Sequence, residues 1–489
     1  MHVVMLASEA QPWAKTGGLA DVLGALPRAL AQDGVGITLI LPAYREALVR
    51  AGAALHHRGR LWAPVSARTE PVDVLEVREA PVATLLLAAP RYFDRPGLYG
   101  TRTGDYPDNA ERFVVFCRAA LEWLRSWETP PQILHTHDWQ TALAPAFLRA
   151  NPELYPTLRA VRCVHTIHNL AYQGRFWAAD WHLLNLDRRW FTPQWLEFWG
   201  DINFLKAALV FADALTTVSP RYAREIQSPE RGEGLDGVLR ARADRLVGIT
   251  NGIDTDVWNP ATDPLLPARY NADRLDGKGR CKAALQQELG LEPRPHEVLL
   301  AVISRLVVQK GIDLVVNTIP PFLATAAVQL AVLGSGDPAL ERSLRALAED
   351  SPRRVALHFG FDEGLAHRLL GAADGFLMPS RYEPCGLAQM HAMRYGVVPI
   401  VHATGGLDDT VAEWDEVRGS GTGFKFSPDS PEALAAAIGR ALAMYRRRDA
   451  WHRLQRNGME SDFSWARAAR AYRALYASLL AAPLPALPA

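Results

Sequence analysis

The chain has 489 residues, 49% of them hydrophobic, with 53 Lys plus Arg balanced by 53 Asp plus Glu. That length allows two large domains with sizeable cores, and the charge balance argues against a general partner for nucleic acid or acidic membranes while leaving room for a local basic pocket. No apolar stretch reaches the about 18 residues a membrane helix needs, and no basic segment leads into an apolar one at the start, so a cytoplasmic protein with no membrane partner is expected.

The first elements are a short apolar run, "HVVMLASEA", and then "WAKTGGLADVLGALPRAL" (13–30). In the second string Leu19, Val22, Leu23, Leu26 and Leu30 repeat at helical spacing, so the order reads strand, glycine turn, helix. Gly17 and Gly18 let a ligand approach the backbone, and a helix start suits a phosphate. The turn matches neither G-x-G-x-x-G nor the P-loop, because Lys15 precedes the glycines. An ordinary strand-to-helix turn with a surface lysine explains it equally well.

Further strands are predicted at 36–42, 82–90, 131–138, 162–169 and 213–219. The pattern restarts at 297–304, 328–334, 355–360, 375–380 and 397–402, after a Pro-, Asp- and Asn-rich segment at 251–267 that reads as a linker. Apolar strands alternating with helices predict two doubly wound parallel α/β domains with a cleft between them and ligands at strand carboxyl ends. The tail "AAPLPALPA" (481–489) has no such pattern and is expected to fray. The cysteines Cys117, Cys163, Cys281 and Cys385 form no C-x-x-C, which favours reduced thiols over a disulfide frame or a zinc site.

Chemistry-bearing residues collect after predicted strands. Only six of the 53 basic residues are lysines, and two of these, Lys15 and Lys310, fall in glycine-bearing turns. "SRLVVQKG" (304–311) places Arg305 and Lys310 in one loop, where a guanidinium and an ammonium can converge on a diphosphate and offset charge on a leaving group; a solvated basic loop is the plainer reading. "SRYEPCGLAQMHAMRYG" (380–396) puts Glu383 before a turn shaped by Pro384 and Gly386, where a carboxylate can hold sugar hydroxyls. Cys385 there reads as a packing or backbone-contact residue, since no histidine arrangement supports a nucleophile. "HTHDWQ" and "HTIHN" supply four histidines that read as core or hydrogen-bonding residues, with no full ligand set for a metal. "DTD" (254–256) imitates a metal-binding motif but lies in the expected linker. "KTGGLADV" (15–22) and "ATGGLDDTV" (403–411) echo each other, either by chance or because two domains offer matching turns to one ligand. Trp177, Trp181, Trp190, Trp195 and Trp199 crowd one segment, which reads either as a helical subdomain that buries them or as a sugar-stacking surface.

Together these strings resemble the bacterial glycogen synthases and plant starch synthases. The likeness runs over roughly residues 2 to 475 and includes "YFDRPGLYG", "TIHNLAYQG", "NFLKAALVFADALTTVSPRYAREI", "GEGLDGVLR", "NGIDTDVWNP" and "PSRYEPCGLAQM". The resemblance implies the GT-B fold, two Rossmann-like domains spanning 1–250 and 251–462, with a C-terminal helix near 463–482 crossing back to the first. It implies retaining transfer of glucose from ADP-glucose to the non-reducing 4-hydroxyl of an α-1,4-glucan, with no cofactor and no metal. By the same resemblance His168, Glu383, Arg305 and Lys310 are the catalytic set. Lys15, Gly17, Gly18, Asn251, Cys385, Gly386, Leu387, Thr404, Gly405 and Gly406 bind the donor, and Asp21, Tyr99 and Asp138 lie on the sugar or acceptor side. The chain departs from the pattern at His391, where many GT-B enzymes carry a second glutamate, at Val397 in place of a common threonine, and at Asp408 in place of a usual alanine. A GT-B enzyme with a small acceptor and a silent glucan-binding protein are the rival readings.

Overall fold

The computed structural model describes residues 1–78, 82–101, 103–325 and 328–483. Most of the C-terminal tail expected to fray therefore lies outside the described residues. The chain divides into two compact units, Met1–Gly252 with Trp465–Ala489, and Ile253–Ser464.

The first unit is built on a nine-stranded sheet. Its strands are β1 (His2–Leu6), β2 (Gly36–Pro42), β3 (Leu55–Val65), β4 (Arg68–Val77), β5 (Ala83–Ala88), β6 (Ile133–His137), β7 (Arg162–Ile167), β8 (Ala214–Thr217) and β9 (Leu246–Gly248). The order across the sheet is β9-β8-β7-β6-β1-β2-β5-β4-β3. All neighbours pair in parallel except β3 with β4 and β4 with β5. The parallel strands are nearly continuous apolar runs, as sheets covered on both faces require. The β3–β4 hairpin lies at the sheet edge and alternates buried with exposed residues along part of its length. It has no apolar run, which is why reading for apolar runs passes over it.

Helix α1 (Gly18–Gln32) follows β1 and buries Leu19, Val22, Leu23, Leu26 and Leu30, the residues whose spacing predicts it. The C-terminal helix Trp465–Ala481 packs beside α1 and buries Tyr472 and Tyr476. Its Tyr476 hydroxyl meets His135 Nδ1 at 2.7 Å, tying the end of the chain to β6.

The tryptophan-rich segment is not helical in the α sense. It forms 3-10 turns at Ala178–Leu184 and Arg188–Trp190 and a small three-stranded sheet from Arg175–Phe176, Glu197–Phe198 and Asp201–Asn203. Aromatic bulk fixes the fold here without helical periodicity. Trp181 and Trp190 are buried at 6% and 2%, whereas Trp177 and Trp199 are 73% and 80% exposed. Trp181 and Trp190 are thus buried as one reading expects, though in 3-10 turns rather than a helical subdomain, and Trp177 and Trp199 are exposed.

The second unit carries β10 (Val298–Ile303), β11 (Val328–Gly334), β12 (Val355–Phe359), β13 (Gly375–Met378), β14 (Val398–His402) and β15 (Phe424–Phe426). Their order is β12-β11-β10-β13-β14-β15, all parallel. That is the doubly wound order 3-2-1-4-5-6. The core closes β10 side chains such as Leu300 and Val302 against Leu434, Ile438 and Trp451. The segment expected to be a linker is instead ordered at the start of this unit. Ile253 donates its N–H to the Phe463 carbonyl, and the fully buried Asp263 carboxylate accepts from the Tyr395 hydroxyl at 2.5 Å.

Candidate active site

In each sheet the winding reverses between two adjacent strands, and the crevice outside their carboxyl ends is where doubly wound folds bind ligands. In the first unit these strands are β1 and β6; in the second, β10 and β13. The segments that follow them carry Lys15 to Gly18, Asp138, Arg305 to Lys310, and Glu383.

After β1 the backbone is organised by Glu9, a residue that motif reading missed. Its carboxylate is 4% exposed. It accepts from Thr16 N–H at 2.5 Å, Thr16 hydroxyl at 2.7 Å, Gly17 N–H at 3.2 Å and Tyr99 hydroxyl at 2.6 Å. A buried carboxylate needs such partners, and an acid placed just past an apolar strand was the signal available in sequence. Tyr99 also meets Ser8 at 2.7 Å, so its hydroxyl is engaged in holding this turn. Lys15 pairs with Asp21 at 2.6 Å, with both side chains more than 30% exposed. Lys15 and Thr16 line a cavity of about 720 Å³ with Arg45, Arg50 and Arg95, a basic pocket on a chain of balanced charge.

The two glycine pairs of the internal echo differ. A Cβ on Gly17 or Gly18 would meet nothing within 4 Å. Gly17 is extended at φ −157° and starts α1 with no side-chain cap. Neither packing nor conformation requires glycine there, and the space beside both is open. Gly405 and Gly406 are glycines for packing: a Cβ would lie 1.9 Å from the Glu383 carbonyl and 2.1 Å from the Cys385 carbonyl. They let the helix Gly405–Thr410 press on the segment that carries Glu383, and Gly406 N–H donates to the Glu383 carbonyl at 3.0 Å. Thr404 is buried at the start of this helix.

After β6, Asp138 adopts a left-handed conformation at φ +55°. Its carboxylate accepts the His168 N–H at 2.7 Å, and burial pushes its carboxyl up to about 7. His168 is half-buried, and burial pushes its imidazole down to about 3, so the ring is neutral. His135, His137 and His165 are fully buried and likewise pushed down. Both nitrogens of His135 are taken, by Tyr476 and by Thr166, which leaves none for a metal. Asn251, beyond β9, is 7% exposed, and its side-chain oxygen has no partner.

In the second unit Lys310 and Glu383 meet at 2.5 Å, and Ser380 donates to the same carboxylate oxygen at 3.1 Å. Gly311 turns the loop with φ +68°, and its missing Cβ would collide with the Pro379 carbonyl at 2.1 Å. That close approach brings the segments after β10 and β13 together. Arg305 is exposed and held by Gln309 at 3.3 Å. Cys385 is buried, Gly386 has φ +71°, and Leu387 precedes the helix Ala388–Arg394. Gln389, another residue missed in sequence, donates to the Cys385 and Gly386 carbonyls at 3.0 and 3.1 Å and fixes this turn.

The departures have structural reasons. His391 stacks on Trp258 at 4.1 Å, with His367 on the opposite face at 3.9 Å. Val397 is buried at 1% exposure, and Asp408 pairs with Lys425 at 2.8 Å. Asp254 of "DTD" accepts two backbone N–H groups of its own turn, and among the described residues no group of three or more His, Cys, Asp or Glu could hold a metal.

Two doubly wound units with these loops define a glycosyltransferase of the GT-B class. The structure matches the catalytic domain of starch synthase IV from Arabidopsis thaliana, solved with ADP and acarbose, at a TM-score of 0.88 and 34% identity over 98% of this chain and 99% of that one. A sucrose-phosphate synthase from Thermosynechococcus elongatus, at 20% identity and TM-score 0.61, shares the fold. Residues 2–241 match the starch synthase catalytic domain family, and residues 290–458 match glycosyl transferases group 1. The chain is 49% identical to a glycogen synthase of Anaeromyxobacter sp. (strain Fw109-5) over 98% of this chain and all of that one. It is 46% identical to a glycogen synthase of Paracidovorax citrulli, over 97% and 94%. The chain belongs to the family of glycogen synthases and starch synthases.

Proposed function

We propose that the chain extends glycogen by transferring glucose, with retention, from ADP-glucose to the non-reducing 4-hydroxyl of an α-1,4-glucan. The observation that carries this reading is the Lys310–Glu383 pair at the strand ends where the second sheet reverses, with Arg305 on the same loop as Lys310 and without a carboxylate partner among the described residues. A diphosphate arriving there is bound by Arg305 and Lys310, and glucose hydroxyls are bound by Glu383. Charge-assisted bonds to the departing diphosphate grow stronger as its charge develops, which lowers the barrier. The open backbone at Gly17 and Gly18, with Lys15, is assigned to donor binding. Asn251, Cys385, Gly386, Leu387 and Thr404 shape the donor site, and Gly405 and Gly406 support it.

His168 is assigned to the transferred glucose, with Asp138 holding its backbone. Asp21 orients Lys15, and Tyr99 acts through Glu9 on the same turn. No carboxylate pair of the kind a double-displacement glycosidase uses is assigned, and the leaving phosphate assists the acceptor on the same face. The family relation supports ADP-glucose as donor, glycogen as acceptor and the cytoplasm as the setting.

The test is incorporation of label into precipitated glycogen from ADP-[14C]glucose and, separately, UDP-[14C]glucose, without added metal. Incorporation from ADP-glucose that is lost in Lys15→Ala and Glu383→Ala is the expected result. Preference for UDP-glucose overturns the donor. Labelling of maltose or glucose but not glycogen overturns the acceptor, and no transfer by the folded chain overturns the enzyme.

A further inference from the structure

His137 and His168 face each other, with His137 Nδ1 3.0 Å from His168 Nε2. Burial keeps both rings neutral. A hydrogen bond between two neutral imidazoles needs one N–H and one bare nitrogen, so only two arrangements exist.

In the first arrangement His168 donates from Nε2, and His137 must carry its proton on its own Nε2. That atom is buried and has no partner among the described residues, so an N–H would be orphaned. In the second arrangement His137 donates from Nδ1, and its buried Nε2 is a bare lone pair. Orphaned buried N–H groups are rarer than under-satisfied acceptors. The neighbouring His135 ring, 4.1 Å away between centroids, cannot correct the first arrangement, because both of its nitrogens are engaged elsewhere. The second arrangement therefore prevails, and it fixes the proton of His168 on Nδ1.

We infer that His137 is a positioning residue that locks His168 in the Nδ1–H tautomer, so that His168 presents a hydrogen-bond donor, and no acceptor, to an oxygen of the transferred sugar. Asp138 pins the His168 backbone and His137 pins its ring, so two adjacent residues at the end of β6 fix one functional group. The sugar-facing half of this inference rests on the role proposed for His168; the tautomer lock rests on the 3.0 Å contact, the buried His137 Nε2 and the neutrality of the two rings.

The test is the ring 15N spectrum of the full chain carrying labelled histidine at pH 7.5, with the His168 signals assigned by their loss in His168→Gln. Protonated Nδ1 and bare Nε2 on His168 are expected; the opposite pattern overturns the lock, and this reading needs no folded His137 variant. Kinetics supply the second arm. His137→Leu removes the donor and is expected to lower kcat about tenfold, the worth of one hydrogen bond, while leaving the KM for ADP-glucose within about twofold. His137→Asn restores an N–H near the Nδ1 position and is expected to recover most of that loss. Equal losses in the Leu and Asn variants overturn the positioning role. Unchanged kcat in His168→Gln, together with the Nδ1–H pattern in the spectrum of the parent chain, overturns the sugar contact and leaves the lock standing.

Discussion

The Lys310 ammonium approaches the Glu383 carboxylate to 2.5 Å, and that carboxylate is only 7% exposed. The pair is unequal, because the Glu383 side chain is 9% exposed on a short stem whereas that of Lys310 is 15% exposed on a long flexible one that can swing toward water. Removing one partner of a buried pair costs most when the charge left behind stays buried. Lys310→Ala is expected to lower stability by about 2–3 kcal/mol, and Glu383→Ala by about 1 kcal/mol. Both variants are expected to lose at least about a hundredfold in kcat, since each removes a charged contact to the donor. Urea unfolding and initial rates on the two variants check this. Equal destabilisation, or the reverse order, would contradict the asymmetry.

The two glycine pairs give a sharper contrast. Gly17→Ala and Gly18→Ala add a methyl group in open space, so stability is expected to stay within about 1 kcal/mol of the parent, with a gain at Gly18 inside the helix start. If the proposed donor contact holds, the KM for ADP-glucose is expected to rise, because the methyl group takes room assigned to the donor. Gly405→Ala and Gly406→Ala drive a Cβ into a backbone carbonyl, at a cost of about 2 kcal/mol or more. Melting temperatures and donor KM values for the four variants decide the matter.

Glu9 gathers Thr16, Gly17 and Tyr99 onto one carboxylate. Glu9→Gln places an amide N–H₂ among groups that all donate, so at least one bond is lost and the turn loosens. The expected outcome is faster amide exchange at Thr16 and Gly17 and a donor KM raised about tenfold, with kcat changed less. Exchange measured by mass spectrometry on the peptide spanning 10–20 reports the first effect. Unaltered exchange there would mean that the carboxylate does not hold the turn.

Acid stability follows from the histidine cluster. Burial holds His165 and His168 near 3 and pushes His135 and His137 well below their ordinary value of 6.5. As pH falls below about 6.5 the unfolded chain takes up protons on these rings while the folded chain does not, so stability falls, by about 1.4 kcal/mol per pH unit for each such group. Asp138 opposes this. Its carboxyl is pushed up to about 7, so over the same window the folded chain holds one proton that the unfolded chain has lost. Four rings outweigh one carboxyl, and the urea midpoint is expected to drop steadily from pH 7.5 to pH 5. A midpoint that holds level or rises over that range would show that the rings are not buried as neutral groups.

Much of this molecule is legible in its sequence. Except for the short outer strands β9 and β15, which the sequence reading missed, the parallel strands of both sheets fall where apolar runs predict them, because a strand covered on both faces must be apolar along its length. The leucine spacing that predicts α1 is the set of residues it buries. The loops that carry Lys15, Arg305, Lys310 and Glu383 follow strands, and that placement is readable before any coordinate is known.

What lies across a space from what was decided only by the fold. The edge hairpin, with no apolar run, became a pair of strands because β5 offered it an open edge. The two similar glycine strings parted roles because one faces empty space and the other faces carbonyls of Glu383 and Cys385. The tryptophan-rich segment split into a buried pair and an exposed pair according to which rings found neighbours. Glu9 carries no motif of its own, and His137 in "HTHDWQ" reads in sequence only as a core or hydrogen-bonding histidine; the partner each one meets, at Gly17 or at His168, is set by the course of the chain. A sequence records local spacing and apolar content, whereas hydrogen-bond partners, excluded volume and the proton on a buried ring depend on atoms that only the folded chain brings together.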